Sequence, residues 1–104
     1  MDRNEVWWAD LPPPLGRRPV LILTRSAAVA VRDQVVVAQI STTVHQLACE
    51  VALTRADGVP KNCVVNCDVL LTVPKARLIS RIVRLSRGKM DEVNRALKFA
   101  KEIP

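Results

Sequence analysis

Two short polar runs stand directly against apolar ones in a way that suits phosphate chemistry. In GRRPVLIL, residues 16–23, Arg18 immediately precedes Pro19. A residue before proline is pushed out of the α region into an extended conformation, so the backbone of Arg18 has its direction set before any tertiary contact forms. A guanidinium carried on a rigid element is preorganised for bidentate recognition of a phosphate. The alternative role is a surface arginine that keeps a loop solvated. In VVVAQISTT, residues 35–43, Ser41, Thr42 and Thr43 follow an apolar run. Hydroxyls in that position serve as loop polarity or a helix cap, or one of them donates to a phosphate oxygen. The two sites cooperate if the strand ends near residues 19 and 41 are neighbours in a small sheet.

Other reactive groups give weaker patterns. His45 with Cys49, and Cys63 with Cys67, form HxxxC and CxxxC spacings that zinc sites permit but that are not specific to them. Cys63 and Cys67 also lie in an apolar stretch, where free cysteine behaves as a small buried hydrophobe. Neither a metal nor a cysteine nucleophile is expected. Trp7 and Trp8 are adjacent and, in a strand, point to opposite faces. One belongs to the core; the other packs simply against the C-terminal helix or, as a lesser alternative, stacks on a base or covers a subunit interface.

The elements that must position these groups are short. One hundred and four residues leave room for one domain, residues 1–104. Hydrophobic residues make up 49% and charged ones 25%, so the chain is expected to fold. Net charge is +6, with eleven Arg against five Lys, which favours nucleic acid as partner or, more plainly, a solubilising surface. A chain this small buries a modest fraction of its surface, and a homodimer would help it. An odd number of cysteines and an N-terminus without a long apolar stretch fit a reducing, cytoplasmic setting, and no run approaches a membrane span.

Strands are expected at 5–10, 19–24, 34–40, 47–53 and 63–69, separated by a Pro triplet, an open connection TRSAAVAVRD and an Asp-Gly turn. Residues 76–86 fit neither period throughout and suggest a strand with a bulge. Met90, Val93, Leu97 and Ala100 recur at helical spacing behind Ser86, a candidate N-cap. The expected fold is mainly β, a small barrel with a C-terminal helix.

In order and spacing, NEVWWADLPPPLGRRPVLIL, VVVAQISTT, CVVNCDVLLTVPKARL and LSRGKMDEVNRAL resemble the MazF/PemK family of bacterial toxins over residues 4 to 101. The resemblance implies an SH3-like barrel, a homodimer, and a metal-independent endoribonuclease of a type II toxin-antitoxin system acting on single-stranded RNA. Attack by the 2′-OH would leave a 2′,3′-cyclic phosphate and a 5′-OH. It assigns the scissile phosphate to Arg18 and transition-state stabilisation to Ser41, with Arg17, Thr42, Thr43 and Asp68 as substrate contacts. It implies no cofactor, and a cognate antitoxin with a flexible acidic and apolar tail. The chain departs from the pattern at Asn4, where the family usually has Gly; at Ser41, usually Thr; and at Val83, often Gly. A gyrase-binding module on the same barrel and a plain basic RNA-binding domain are the competing functions.

Overall fold

The computed structural model describes residues 1–104, and in it the apolar runs become six strands of one antiparallel sheet. They are β1 (Glu5–Leu11), β2 (Gly16–Ile22), β3 (Gln34–Ser41), β4 (Glu50–Leu53), β5 (Cys63–Pro74) and β6 (Leu78–Arg84). A one-turn helix α1 (Ser26–Val29) joins β2 to β3, and α2 (Arg87–Ala100) ends the chain. Across the sheet the order is β4-β5-β3-β2-β1-β6, and β4 does not pair with β6. The barrel is therefore curled and partly open.

Both faces of the central strands are buried, which is why PVLIL and QVVVAQI are apolar throughout rather than alternating. Leu21, Ala38 and Ile40 turn to a larger cluster with Val51, Val65 and the Met90, Val93 and Ala96 of α2. Val20, Ile22, Val35 and Val37 turn to a smaller one with Ala9, Leu11 and the Val29 of α1. Ser86 caps α2 as its sequence suggests, its Oγ accepting from the Lys89 amide at 3.1 Å. Lys89, standing where a capping box would have an acid, donates instead to Ala52 O at 3.1 Å and so ties the helix to β4.

Tertiary pairing moved several strand boundaries. β2 starts at Gly16, not at Pro19, because the hairpin with β1 runs back to Leu11 opposite Gly16. Gly16, at φ 66°, supplies the left-handed residue that closes this turn. β4 starts at Glu50, since the Glu50 carboxylate accepts from the amides of His45 and Leu47 and holds the preceding residues in a turn. β5 continues to Pro74 because β3 offers it a partner along its whole length, with three extra residues between Asn66 and Leu70. The bulged strand at the end is confirmed: β6 skips one residue at Ile82 and another at Ile79 against β1. Ala76 and Arg77, expected in that strand, instead belong to a 3-10 turn at Lys75–Arg77.

Two side chains lock the start of β1. Asn4 adopts φ 81°, the conformation for which glycine is usual, and its Oδ1 is buried without a partner. Glu5 is only 2% exposed. Its carboxylate accepts from Trp7 Nε1 at 3.0 Å and the Asp2 amide at 3.0 Å, and from Arg81 at 3.3 Å and Arg84 at 3.1 Å. Burial alone would raise its pKa; the hydrogen bonds from Trp7, Asp2, Arg81 and Arg84 outweigh that and bring it down to about 2.

Candidate active site

β2 pairs with β1 from Gly16 to Leu21 but with β3 only from Val20 to Ile22. Pro19 stands at the point where the second ladder stops. Proline has no N-H to offer a strand on that side, so β2 and β3 separate there while β1 keeps β2 in place. The pairing Val20–Gln39, continued two residues, sets Arg18 opposite Ser41. The strand ends that carry the arginines and the hydroxyls are thus neighbours, as the phosphate reading requires.

A cavity of about 490 Å³ opens between the separated ends. Arg17, Arg18 and Pro19 of β2 line one side, and Ser41, Thr42 and Thr43 the other. Trp8 and Ile82 contribute from β1 and β6, and Val59, Pro60, Lys61 and Cys63 from the approach to β5. No Asp, Glu or His lines it. Three cations and three hydroxyls therefore converge over an apolar floor. None of the three cations makes an ion pair. Asp10 lies opposite Arg17 in the ladder but does not bond to it.

Arg18 is half-buried and donates from Nε to Leu15 O at 2.9 Å. That bond fixes the plane of the guanidinium from its inner edge and leaves the terminal nitrogens for a ligand. Ser41 Oγ accepts from the Thr43 amide at 3.1 Å, so its lone pair is engaged and its O-H is left to donate. A fixed guanidinium and an oriented hydroxyl donor suit an anion that gains charge during a reaction.

Five of the six residues singled out from sequence meet in this cavity: Arg17, Arg18, Ser41, Thr42 and Thr43. Asp68 does not. It is exposed in the extra residues of β5, its amide bonded to Asn66 Oδ1 at 2.9 Å, and it faces Cys49, whose thiol it pushes up in pKa together with burial. His45 is exposed, whereas all three cysteines are buried thiols. Burial, with Cys49 beside it, raises Cys67 to about 11. α2 packs chiefly on β5 and β4, whereas both tryptophans stand on β1. Trp7 covers the smaller cluster and Trp8 enters the cavity, the division between faces that adjacent strand residues must show. Lys61 was not singled out from sequence; a lone basic residue in a turn carries no signal until the fold brings it to the arginines.

A small curled barrel holds an acid-free, cationic cavity at separated strand ends, and such a lining suits an anion. The profile described as PemK-like, MazF-like toxin of type II toxin-antitoxin system matches residues 2–100. The chain belongs to this toxin family. It is 38% identical to Probable endoribonuclease MazF5 of Mycobacterium tuberculosis over 99 residues, which cover 94% of this chain and 90% of that protein. The solved Mycobacterium tuberculosis toxin MazF-mt6 superposes with a TM-score of 0.89 at 33% identity, covering 96% of this chain and 98% of that one. An endoribonuclease from a mycobacterial species, solved with its cognate antitoxin, gives a TM-score of 0.89 at 27% identity over 100% of this chain and 97% of that one.

Proposed function

We propose that this chain, an endoribonuclease toxin of a type II toxin-antitoxin system, cleaves single-stranded RNA in the cavity between β2 and β3 without a metal ion. The observation that carries the reading is the convergence of Arg18 and Ser41 with Arg17 and Lys61 in a cavity lined by no acid. In the reaction the 2′-oxygen bonds to the adjacent phosphorus and the bond from phosphorus to the 5′-oxygen breaks. One fragment ends in a 2′,3′-cyclic phosphate and the other in a 5′-OH, the proton lost from the 2′-OH being balanced by the one gained at the 5′-oxygen.

The phosphorane formed on the way concentrates charge on its non-bridging oxygens. Arg18 donates to them from its terminal nitrogens, and Ser41 Oγ adds a neutral donor from across the gap. A guanidinium holds its proton too firmly to serve as base near neutrality, so Arg18 acts through charge. With no carboxylate or imidazole in the cavity, charge stabilisation supplies more of the catalysis than proton transfer. The cavity offers a divalent ion no carboxylate ligand, and the guanidinium takes the part that such an ion would play.

Arg17 and Lys61 hold flanking phosphates, Thr42 and Thr43 contact the sugar or base edges, and Trp8 offers a face for one unstacked base. Asp68 would meet RNA only if the strand ran on beyond the cavity. The restraining partner is an antitoxin with an acidic, apolar tail, supported by the antitoxin complex of a similar endoribonuclease. The chain works in the cytoplasm as a homodimer, for which the half-exposed Trp7 and Leu71 over the smaller cluster supply apolar surface. No helix is long and apolar enough to cross a membrane.

The test is incubation of the pure protein with a long RNA in EDTA, followed by mapping of the cut ends. Cyclic phosphate ends that vanish in Arg18→Ala are expected. Intact RNA with folded wild-type protein, or cutting that needs added metal, refutes the mechanism.

A further inference from the structure

At one corner the wall of the RNA cavity runs on to a cation that the nuclease reading leaves without a role. Arg3, Arg25, Arg32 and Lys101 line a separate groove beside α1, at the opposite end of β3. Arg55, in contrast, reaches the rim of the RNA cavity: its Nε donates to Pro60 O at 3.2 Å, and Pro60 lines the cavity with Val59 and Lys61. Arg55 is exposed and forms no ion pair.

The segment that carries it is braced at each step. Around the 3-10 turn Arg55–Asp57, Thr54 Oγ1 accepts from the Ala56 amide at 3.2 Å and the Asp57 carboxylate accepts from the Thr54 amide at 2.8 Å. Gly58 follows at φ 99°, and a Cβ there would stand 2.5 Å from Val83 Cγ2, so the segment lies flush against β6. Val59 then enters the larger core, only 4% exposed. The one acid of the segment, Asp57, is engaged elsewhere, with the Thr54 amide and with Lys89 Nζ of α2 at 3.9 Å. The charge of Arg55 is therefore fixed in place without being neutralised.

This arrangement repeats that of Arg18. Each guanidinium is held through Nε by the carbonyl of a residue that lines the cavity, Leu15 for Arg18 and Pro60 for Arg55, which leaves the terminal nitrogens for a bidentate anion. An arginine that only keeps a surface solvated needs no such anchor, because holding it still costs side-chain entropy. RNA carries one phosphate per nucleotide. A strand with its scissile phosphate on Arg18 and a flanking one on Lys61 meets Arg55 as it leaves the cavity over this wall. We propose that Arg55 is a further RNA-binding residue, which holds a phosphate outside the cavity and so sets the course of the strand beyond the cut. The proposal rests on the nuclease reading of the cavity and extends it to substrate that the cavity does not cover.

The experiment compares Arg55→Ala with the wild type on RNAs of about five and about fifteen nucleotides centred on the mapped cut, at several salt concentrations. On the longer RNA the variant should raise KM about three- to tenfold and leave kcat unchanged, since the contact is equally present in substrate and transition state. The slope of log affinity against log salt should become shallower by about 0.7, the loss of one phosphate contact on a single strand. On the shorter RNA the variant should match the wild type, and its melting temperature should be unchanged because Arg55 is exposed. An unchanged KM and slope on the longer RNA, an equal loss on the shorter one, or a fall in kcat overturns the proposal. Binding of uncleavable 2′-O-methyl RNA of both lengths reads the same contact without the chemistry. A length-dependent loss there, with a wild type that cuts nothing, supports Arg55 and faults the reading of the cavity instead.

Discussion

At the start of β1 two arginines close on a buried acid, whereas near its end two arginines on the neighbouring strand close on nothing. Arg81 and Arg84 both reach Glu5, and the charge of that pair is spent inside the protein. Arg17 and Arg18 lie opposite Asp10 and Ala9 and have no ionic partner. The residue type is the same and the backbone is strand in both places. What separates the two pairs is whether the fold buries a carboxylate beneath them. Charge that folding leaves uncompensated is available to a ligand.

Substitutions at the two ends should therefore fail in different ways. The largest effect on catalysis is expected for Arg18→Ala, a loss of about 10²–10³-fold in RNA cleavage with the melting temperature nearly unchanged. Arg84→Ala should do the reverse, lowering the melting temperature while the activity of the folded fraction is kept. Equal loss of activity in both would erase the distinction. Glu5→Gln should cost about 3 kcal/mol in denaturant unfolding at neutral pH, since it removes a carboxylate on which four donors converge.

The acid dependence of stability follows from the same site. The folded pKa of Glu5, about 2, lies below the ordinary carboxylate value of 4.5, so the folded state binds fewer protons than the unfolded one between them. Its contribution is fully present above about pH 5 and is lost as pH falls towards 2. Stability curves of the wild type should show this decline, and Glu5→Gln should flatten it; an unchanged curve would place the acid sensitivity elsewhere.

Smaller effects should refine the contrast. Ser41→Ala is expected to slow cleavage about tenfold, the loss of one neutral donor, and Ser41→Thr to retain most activity because the hydroxyl stays. If Ser41→Ala cuts normally, the hydroxyl has no part in the transition state. Asn4→Gly should raise stability by about 1 kcal/mol, because it removes both a positive φ on a residue with a Cβ and a buried unpaired carbonyl. A lower midpoint would mean that the Asn4 side chain has a partner after all.

Much of this was legible from residue order. Local rules gave five of the six strands close to their observed positions, the cap at Ser86 and the stripe on α2, because each depends on neighbours within a turn or a strand. The left-handed turn at Asn4 was equally local, since asparagine tolerates the positive φ of 81° that it adopts there. A fixed backbone and a hydroxyl run made Arg18 and Ser41 candidates, and the resemblance to the toxin family singled them out. Lys61 and Ile82 escaped, since they reach the cavity only through the β5 approach and the skipped residue of β6. Asp68 was drawn in by its place in a matching block, but the extra residues of β5 carry it away from the cavity. Which tryptophan faces which cluster was not legible, because nothing in the sequence says which strands α2 covers.

By itself the sequence determined an apolar, two-sided strand set, a capped amphipathic helix, a surplus of arginine and an Arg18 whose extended backbone is imposed by Pro19. These are consequences of covalent geometry and short-range patterning. Only the tertiary structure decided that β3 leaves β2 at Pro19, which opens the cavity and sets Arg18 across from Ser41. It alone decided that Glu5 would consume Arg81 and Arg84, and that Arg3, Arg25, Arg32 and Lys101 would ring a groove at the opposite end. Pairing across the sheet joins residues as far apart as Glu5 and Arg84. Which charges end up compensated is settled by that pairing, because an ion pair needs contact in space and not proximity in the chain.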